Sequence, residues 1–342
     1  MRLEEFNLDI AAVIMAPLVR NYPEPDWVAA RDSGILPESV FTLYTRSSYL
    51  SFGAAPTFLS DKDYFLFSYF GLVLRSIKDC LVEADSELQA FAAAQGKGYD
   101  PEKRLKGEKW DTEADAGARR NFQLVLMSLL ASLDGAADLV ALFLTDSING
   151  LVVGRAAFSK IEAWLRNPLP NSPLVITPQQ QKLEELYKRI EPLVCTNGEE
   201  QDWLKFARIL RNKSAHMKNS VRYSVFPHSD QNLYTFLPAH WPYLWEQHMH
   251  TAGTVPPAGF KPMPQLFLDI LIHQDIVSYG HDLRDRITTL VGETLAAVDA
   301  MYIEFQNFPQ NQAALSQLVD NFETTGFKAF RESSQSPFPL CT

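Results

Sequence analysis

Cysteine is scarce in this chain. Three occur in 342 residues, Cys80, Cys195 and Cys341. They are odd in number and far apart, so neither a disulfide framework nor a zinc-binding spacing can be assembled from them. A reducing cytoplasm is the expected setting. Excess positive charge is also lacking: 31 Lys+Arg stand against 41 Asp+Glu, a formal net charge of −10. A globally acidic protein is poorly suited to wrapping nucleic acid non-specifically or to lying on an anionic membrane. A local basic patch remains compatible with that balance. The opening residues, Met1 to Glu5, carry two acids and none of the apolar core of a signal peptide. No internal repeat is present. Gly150 and Gly154 make no phosphate loop, because no Gly-Lys-Ser/Thr follows them.

What is there is ordinary for a globular protein with a full core: 46% hydrophobic and 21% charged residues. One run, Gln123 to Leu144, is long enough to span a bilayer. Asp134 and Asp138 interrupt its middle, and each would cost about 3 kcal/mol there. The run therefore reads as a helix buried in a soluble core, with no membrane involved. Carboxylates in such a helix need compensation. The pair is expected to be structural, capping a kink at Gly135 or facing basic residues.

Residues 1–60 are punctuated by Pro17, Pro23, Pro25, Pro37 and Pro56. They read as an irregular segment packed on a helical bundle, with no long helix. Ser60-Asp61-Lys62-Asp63 resembles a helix start, and the helix runs on to about Phe91. Residues 96–118 read as a solvated loop. A long helix starts near Arg119, and shorter ones cover about 154–165 and 177–193; the latter opens on Thr177-Pro178-Gln179-Gln180. Trp203, Phe206, Ala207 and Leu210 then make an amphipathic stripe. Two alternating pieces, 221–226 and 232–237, suggest a β-hairpin inside a hairpin and loop insertion over about 220–264. A last helical region covers 265–305, broken near Gly280. The expected fold is an all-α bundle over 61–310 with a small hairpin insertion, followed by a tail, 311–342.

The segment Arg208-Ile209-Leu210-Arg211-Asn212-Lys213-Ser214-Ala215-His216 carries the chemistry. It resembles the motif of HEPN-superfamily ribonucleases: Arg, a polar residue, a short gap, then His. Arg211, Asn212 and His216 occupy those places. The 17 Arg and 7 His of the chain make the bare Arg/His spacing expected about once by chance. Arg222/His228 is such a coincidence, in a strand-like stretch. Asking for Asn after the Arg lowers the expectation to roughly 0.04. The resemblance covers about residues 61–305. It implies a HEPN-like helical bundle and a composite RNA-cleaving site shared by two protomers. It also implies a toxin-like role in microbial defence, with an antitoxin or regulatory partner protein.

The chemistry can be argued from the residues alone. RNA is cut when the ribose 2′-OH attacks the adjacent phosphorus, which needs a base, an acid and positive charge at the phosphoryl oxygens. His216 is the side-chain type that titrates near neutrality. Arg211 stays charged, and its planar fork matches phosphate oxygens. Asn212 and His216 lie at i, i+4, where Asn can orient the imidazole. No cofactor and no metal are needed. Lys205, Arg208, Lys213, Lys218 and Arg222, with Arg211, form a basic strip that an RNA backbone would follow. On one continuous helix Arg211 and His216 diverge by about 140°. A homodimer through the 203–218 helix brings one chain's Arg near its partner's His.

The competing reading is a non-catalytic helical binding or scaffold protein, with the basic strip a solvated face and the His at a helix C-terminus. His248-Met249-His250 beside Glu246 lacks an i, i+4 His pair and reads as an exposed loop, not a metal site. His273, Asp275, His281 and Asp282 read as helix-surface residues, and Trp241 to Trp245 as a cluster packing a loop on the core.

Overall fold

The computed structural model describes residues 24–53, 61–95, 112–145, 147–166, 168, 178–194, 203–216, 223–227, 233–238 and 276–303. Eight helices are described: α1 (Pro25–Asp32), α2 (Glu38–Gly53), α3 (Asp61–Gln95), α4 (Thr112–Leu144), α5 (Phe158–Arg166), α6 (Pro178–Val194), α7 (Trp203–His216) and α8 (Ile276–Ile303). Two short strands, β1 (Tyr223–Pro227) and β2 (Leu233–Pro238), pair antiparallel. Every other regular element among the described residues is helical. The protein is all-α, and its buried side chains from Trp27 to Met301 form one continuous core.

Helices α3 and α4 are its spine. Phe91 meets Phe122 with ring centroids 5.3 Å apart, and Ser128 donates to Glu83 at 2.7 Å. Further along, Ile77 lies against Gly135, and Tyr69 donates to Asp138 at 2.5 Å. The paired numbers run in opposite directions, so the helices are antiparallel. A Cβ at Gly135 would sit 2.9 Å from Ile77 Cγ1. The glycine is there for close packing of α3 on α4, and helix α4 continues through it. The stretch Arg120–Leu144 is apolar and long enough to cross a membrane, but 67% of its most apolar window is buried inside the bundle. It is a core helix, as its sequence indicates. Its N-terminus at Thr112 takes in residues expected to be loop.

Helix α8 closes the spine. Arg284 donates to Asp85 at 2.5 Å, and Tyr279 lies beside Phe122 at 6.4 Å between centroids. The expected break near Gly280 is absent. A Cβ there would lie 2.6 Å from Leu88 Cδ1. Gly280 makes room for a neighbouring helix and breaks nothing. On its far side α8 receives α6 through Arg189–Glu293 at 3.0 Å. It receives α2 through the Ser39 hydroxyl, which donates to the Gly292 carbonyl at 2.7 Å.

The N-terminal region also departs from expectation. Its two described prolines fall at helix starts, not within helices: Pro25 is the first residue of α1, and Pro37 precedes α2. The chain between Glu38 and Gly53 holds no proline and forms a 16-residue helix. Trp27 of α1 and Tyr44 of α2 stack at 3.6 Å with planes 2° apart. Lys78 and Arg75, both from α3, lie over these rings, 5.5 Å from the Trp27 centroid and 5.1 Å from that of Tyr44. Glu24 accepts hydrogen bonds from Tyr44 at 2.8 Å and from Arg75 at 2.6 Å. Residues 24–53 of this region hold α1 and α2 and contact α3 and α8; residues 1–23 and 54–60 lie outside the described residues.

Candidate functional site

The candidate site lies on α7, which docks on α4 and α5. Helix α7 starts beside α6, where the Trp203 indole N–H donates to the Leu193 carbonyl at 3.2 Å. Trp203, Leu204, Ala207 and Leu210 are buried. This is the apolar stripe read from the sequence with Leu204 added; the side chain of Phe206 lies outside the described residues. Burying that stripe turns the flanking Arg208 and Arg211 toward α5 and α4.

The two arginines differ. Arg208 ion-pairs closely with Glu162 of α5, and their side chains are only 18% and 7% exposed. Glu162 also accepts from Arg166 at 2.9 Å. Breaking a buried pair of this kind costs about 3–5 kcal/mol. Arg211 lies with Nη1 3.9 Å from Asp134 Oδ2, at exposures of 29% and 40%. At that distance and exposure the attraction is worth less than about 1 kcal/mol. Arg211 Nε donates to Asn212 Oδ1 at 3.2 Å. Among the described residues neither Nη of Arg211 donates a hydrogen bond. A phosphate can therefore recruit Arg211 at little cost, whereas recruiting Arg208 means dismantling a structural contact.

Asp134 and Asp138, one turn apart on α4, organise the segment between α4 and α5. Asp138 Oδ1 accepts from the amides of Gly154 at 2.9 Å and Ala156 at 3.1 Å, and Oδ2 accepts from Tyr69. Gly154 has φ +77°, a left-handed conformation that glycine adopts freely. Asp134 Oδ1 accepts from the Phe158 amide at 2.9 Å, at the start of α5. This satisfies one of the N–H groups that a helix start leaves unpaired. Burial pushes the Asp138 carboxyl above the usual carboxylate range, although the hydrogen bonds from Tyr69, Ala156 and Gly154 favour the anion; Asp134 adds to the rise. Burial and the Asp138 charge push the Tyr69 hydroxyl upward in turn. The carboxylates thus have the structural role expected of them. Asp134 also faces a basic residue, Arg211.

The remaining site residues divide as follows. Helix α7 is continuous to His216, so Arg211, Asn212, Lys213 and His216 share its C-terminal end. Asn212 is exposed, and Lys205 is half-buried. The side chains of Lys213 and His216 lie outside the described residues, as do Lys218, Arg222 and His228. The segment 239–275, with His248, His250 and Glu246, the Trp241–Trp245 cluster, His273 and Asp275, also lies outside them. Asp282 accepts from Arg286 within α8 at 2.9 Å, as a helix-surface pair does. Among the described residues no group of three His, Cys, Asp or Glu side chains is placed to hold a metal ion.

In comparisons with known proteins, the chain matches no family model, no curated protein and no solved structure.

Sequence reading foresaw Asp134 facing basic residues without naming Arg211, and it missed the Glu162–Arg208 pair. Each pair joins helices through residues far apart in the chain. For Asp134 the signal was a carboxylate at an otherwise apolar position of α4; Glu162, on α5, gave none.

Proposed function

We propose that this protein is a metal-independent endoribonuclease of HEPN-like architecture that cleaves single-stranded or loop RNA. The observation that carries the reading is the state of Arg211. It sits at the end of a docked helix, next to Asn212 and five residues before His216, and among the described residues neither Nη donates a hydrogen bond. Arg211 would bind the phosphoryl oxygens, where positive charge stabilises the transition state. His216 would move the proton at the 2′-OH or the 5′-oxygen, and Asn212 would orient the imidazole.

Helical geometry supports a shared site. Because α7 runs unbroken through both positions, residues 211 and 216 stand about 140° apart around its axis. Two copies related by a two-fold axis through α7 bring an Arg of one to the His of the other, and supply two histidines. RNA would then follow Lys205, Lys213, Lys218 and Arg222, with Arg208 bracing the helix from behind. The β1–β2 pair is the hairpin insertion of this HEPN-like bundle. The setting that goes with this reading is a cytoplasmic toxin-like effector, held by an antitoxin or other regulatory protein.

One observation favours a second reading, a non-catalytic helical binding protein: both arginines of α7 face carboxylates of their own chain. The deciding experiment incubates purified protein with total RNA in EDTA, beside His216→Ala and Arg211→Ala. Cleavage by the unaltered protein alone, leaving 2′,3′-cyclic phosphate or 3′-phosphate ends, supports the ribonuclease. Undiminished cleavage by His216→Ala overturns it.

A further inference from the structure

Asp134 does two things at once, and only one of them needs a negative charge. Its Oδ1 accepts the Phe158 amide, which an amide oxygen would do equally well. Its Oδ2 faces Arg211 Nη1 at 3.9 Å, a contact that depends on charge. The loop before α5 is already held by Asp138, which takes the Gly154 and Ala156 amides. A second carboxylate one turn earlier adds its charge where Arg211 lies.

From this geometry we infer that Asp134 is a positioning residue for Arg211, fixing the direction of the guanidinium without taking up its hydrogen-bond donors. The inference rests on the ribonuclease reading above. Three features carry it. First, Asp134 is itself fixed: its carboxylate is tied to the start of α5, whose Glu162 holds Arg208 one turn before Arg211. The backbone of α7 and the carboxylate that faces Arg211 are therefore set by the same two helices. Secondly, the gap of 3.9 Å is too long for a hydrogen bond. Asp134 attracts the guanidinium and still leaves its Nη protons for phosphate oxygens. A tight bidentate pair would instead compete with the substrate. Thirdly, Asn212 takes the Nε proton at 3.2 Å, so the fork is steered from both ends. Preorganised charge of this kind acts on the transition state more than on binding, because the side chain need not be reoriented as charge develops.

Asp134→Asn separates the two jobs. It keeps an oxygen for the Phe158 amide and removes the charge facing Arg211. The expected result is an unchanged melting temperature and unchanged RNA affinity, with kcat lowered by about two- to fivefold, the most that a contact under about 1 kcal/mol can supply. Asp134→Ala should lower the melting temperature as well, since the Phe158 amide loses its partner. A merely structural Asp134 would show the reverse pattern: a lower melting temperature and a kcat per folded molecule that does not move. Cleavage by the unaltered protein together with an undiminished kcat for Asp134→Asn overturns the positioning role and leaves the ribonuclease standing. Unaltered protein that cuts no RNA overturns both.

Discussion

The Tyr69 hydroxyl donates to Asp138 Oδ2 at 2.5 Å, tying α3 to the carboxylate that also holds the Gly154 and Ala156 amides. The contact has a pH signature. Asp138 has its carboxyl raised by burial, so folding favours the protonated form. The stability it contributes is greatest below the ordinary carboxylate value of 3.8 and is lost as pH rises through its elevated folded value. Asp138→Asn, which cannot ionise, should escape that loss. Its melting temperature relative to the unaltered protein should rise from about pH 3.5 to about pH 7. A constant difference across that range would show that Asp138 carries no burial penalty.

The Glu162–Arg208 pair should matter to stability far more than the Asp134–Arg211 pair. Glu162→Ala leaves Arg208 partly buried beside α5 with no counter-charge. The expected cost is about 3 kcal/mol, read as a lower midpoint in thermal or denaturant unfolding. A loss under about 1 kcal/mol would place the pair with ordinary surface contacts.

The same distinction should appear in RNA binding. If Lys213 and Lys218 lie along the backbone, Lys213→Glu and Lys218→Glu should weaken binding to all sequences. Each should also flatten the salt dependence, whose slope is about −0.7 per neutralised phosphate on a single strand. Arg208→Gln should leave that slope unchanged, because Arg208 belongs to Glu162. A shallower slope for Arg208→Gln would mean that RNA draws Arg208 out of its pair.

Sharing of the site is tested by mixing. Arg211→Ala and His216→Ala proteins, each inactive alone, should recover partial activity when co-refolded, since a heterodimer retains one intact Arg/His set. A protein that stays monomeric at micromolar concentration and still cuts RNA would rule out the shared site.

Gly280→Ala tests the packing of α8 on α3. The added Cβ would meet Leu88 Cδ1 at 2.6 Å, and Leu88 is fully buried. Overpacking of this kind costs about 1–3 kcal/mol. An unchanged unfolding midpoint would show that Leu88 can move aside.

Much of this helical framework was legible in the residue order. The periodic stripe of α7 and the start signals at Asp61 and Pro178 are local signals, and local signals survive reading one segment at a time. Gly280 was misread for the complementary reason. In sequence a glycine inside a helical pattern looks like a break, and only the neighbouring Leu88 shows that it makes room. Pro37 misled similarly, since a proline just before a helix and a proline in irregular chain look alike until the next turn is seen. For the candidate site, Arg211, Asn212 and His216 were legible as a motif. That Arg208 belongs to Glu162 was not, because nothing within α7 points to a carboxylate 46 positions earlier on another helix.

The aromatic stack of Trp27 on Tyr44 bears on where this chain can be cut. Proline spacing places a boundary near residue 60, and a truncated chain begun there would keep α3 whole. It would also strip Arg75 and Lys78 of the rings they cover, and remove Glu24 and Asp26, which pair with them, although Lys78 would keep Asp79 at 2.9 Å. The flank of α3 that α1 and α2 cover would be bared. A piece of this protein that keeps these contacts therefore begins no later than Glu24.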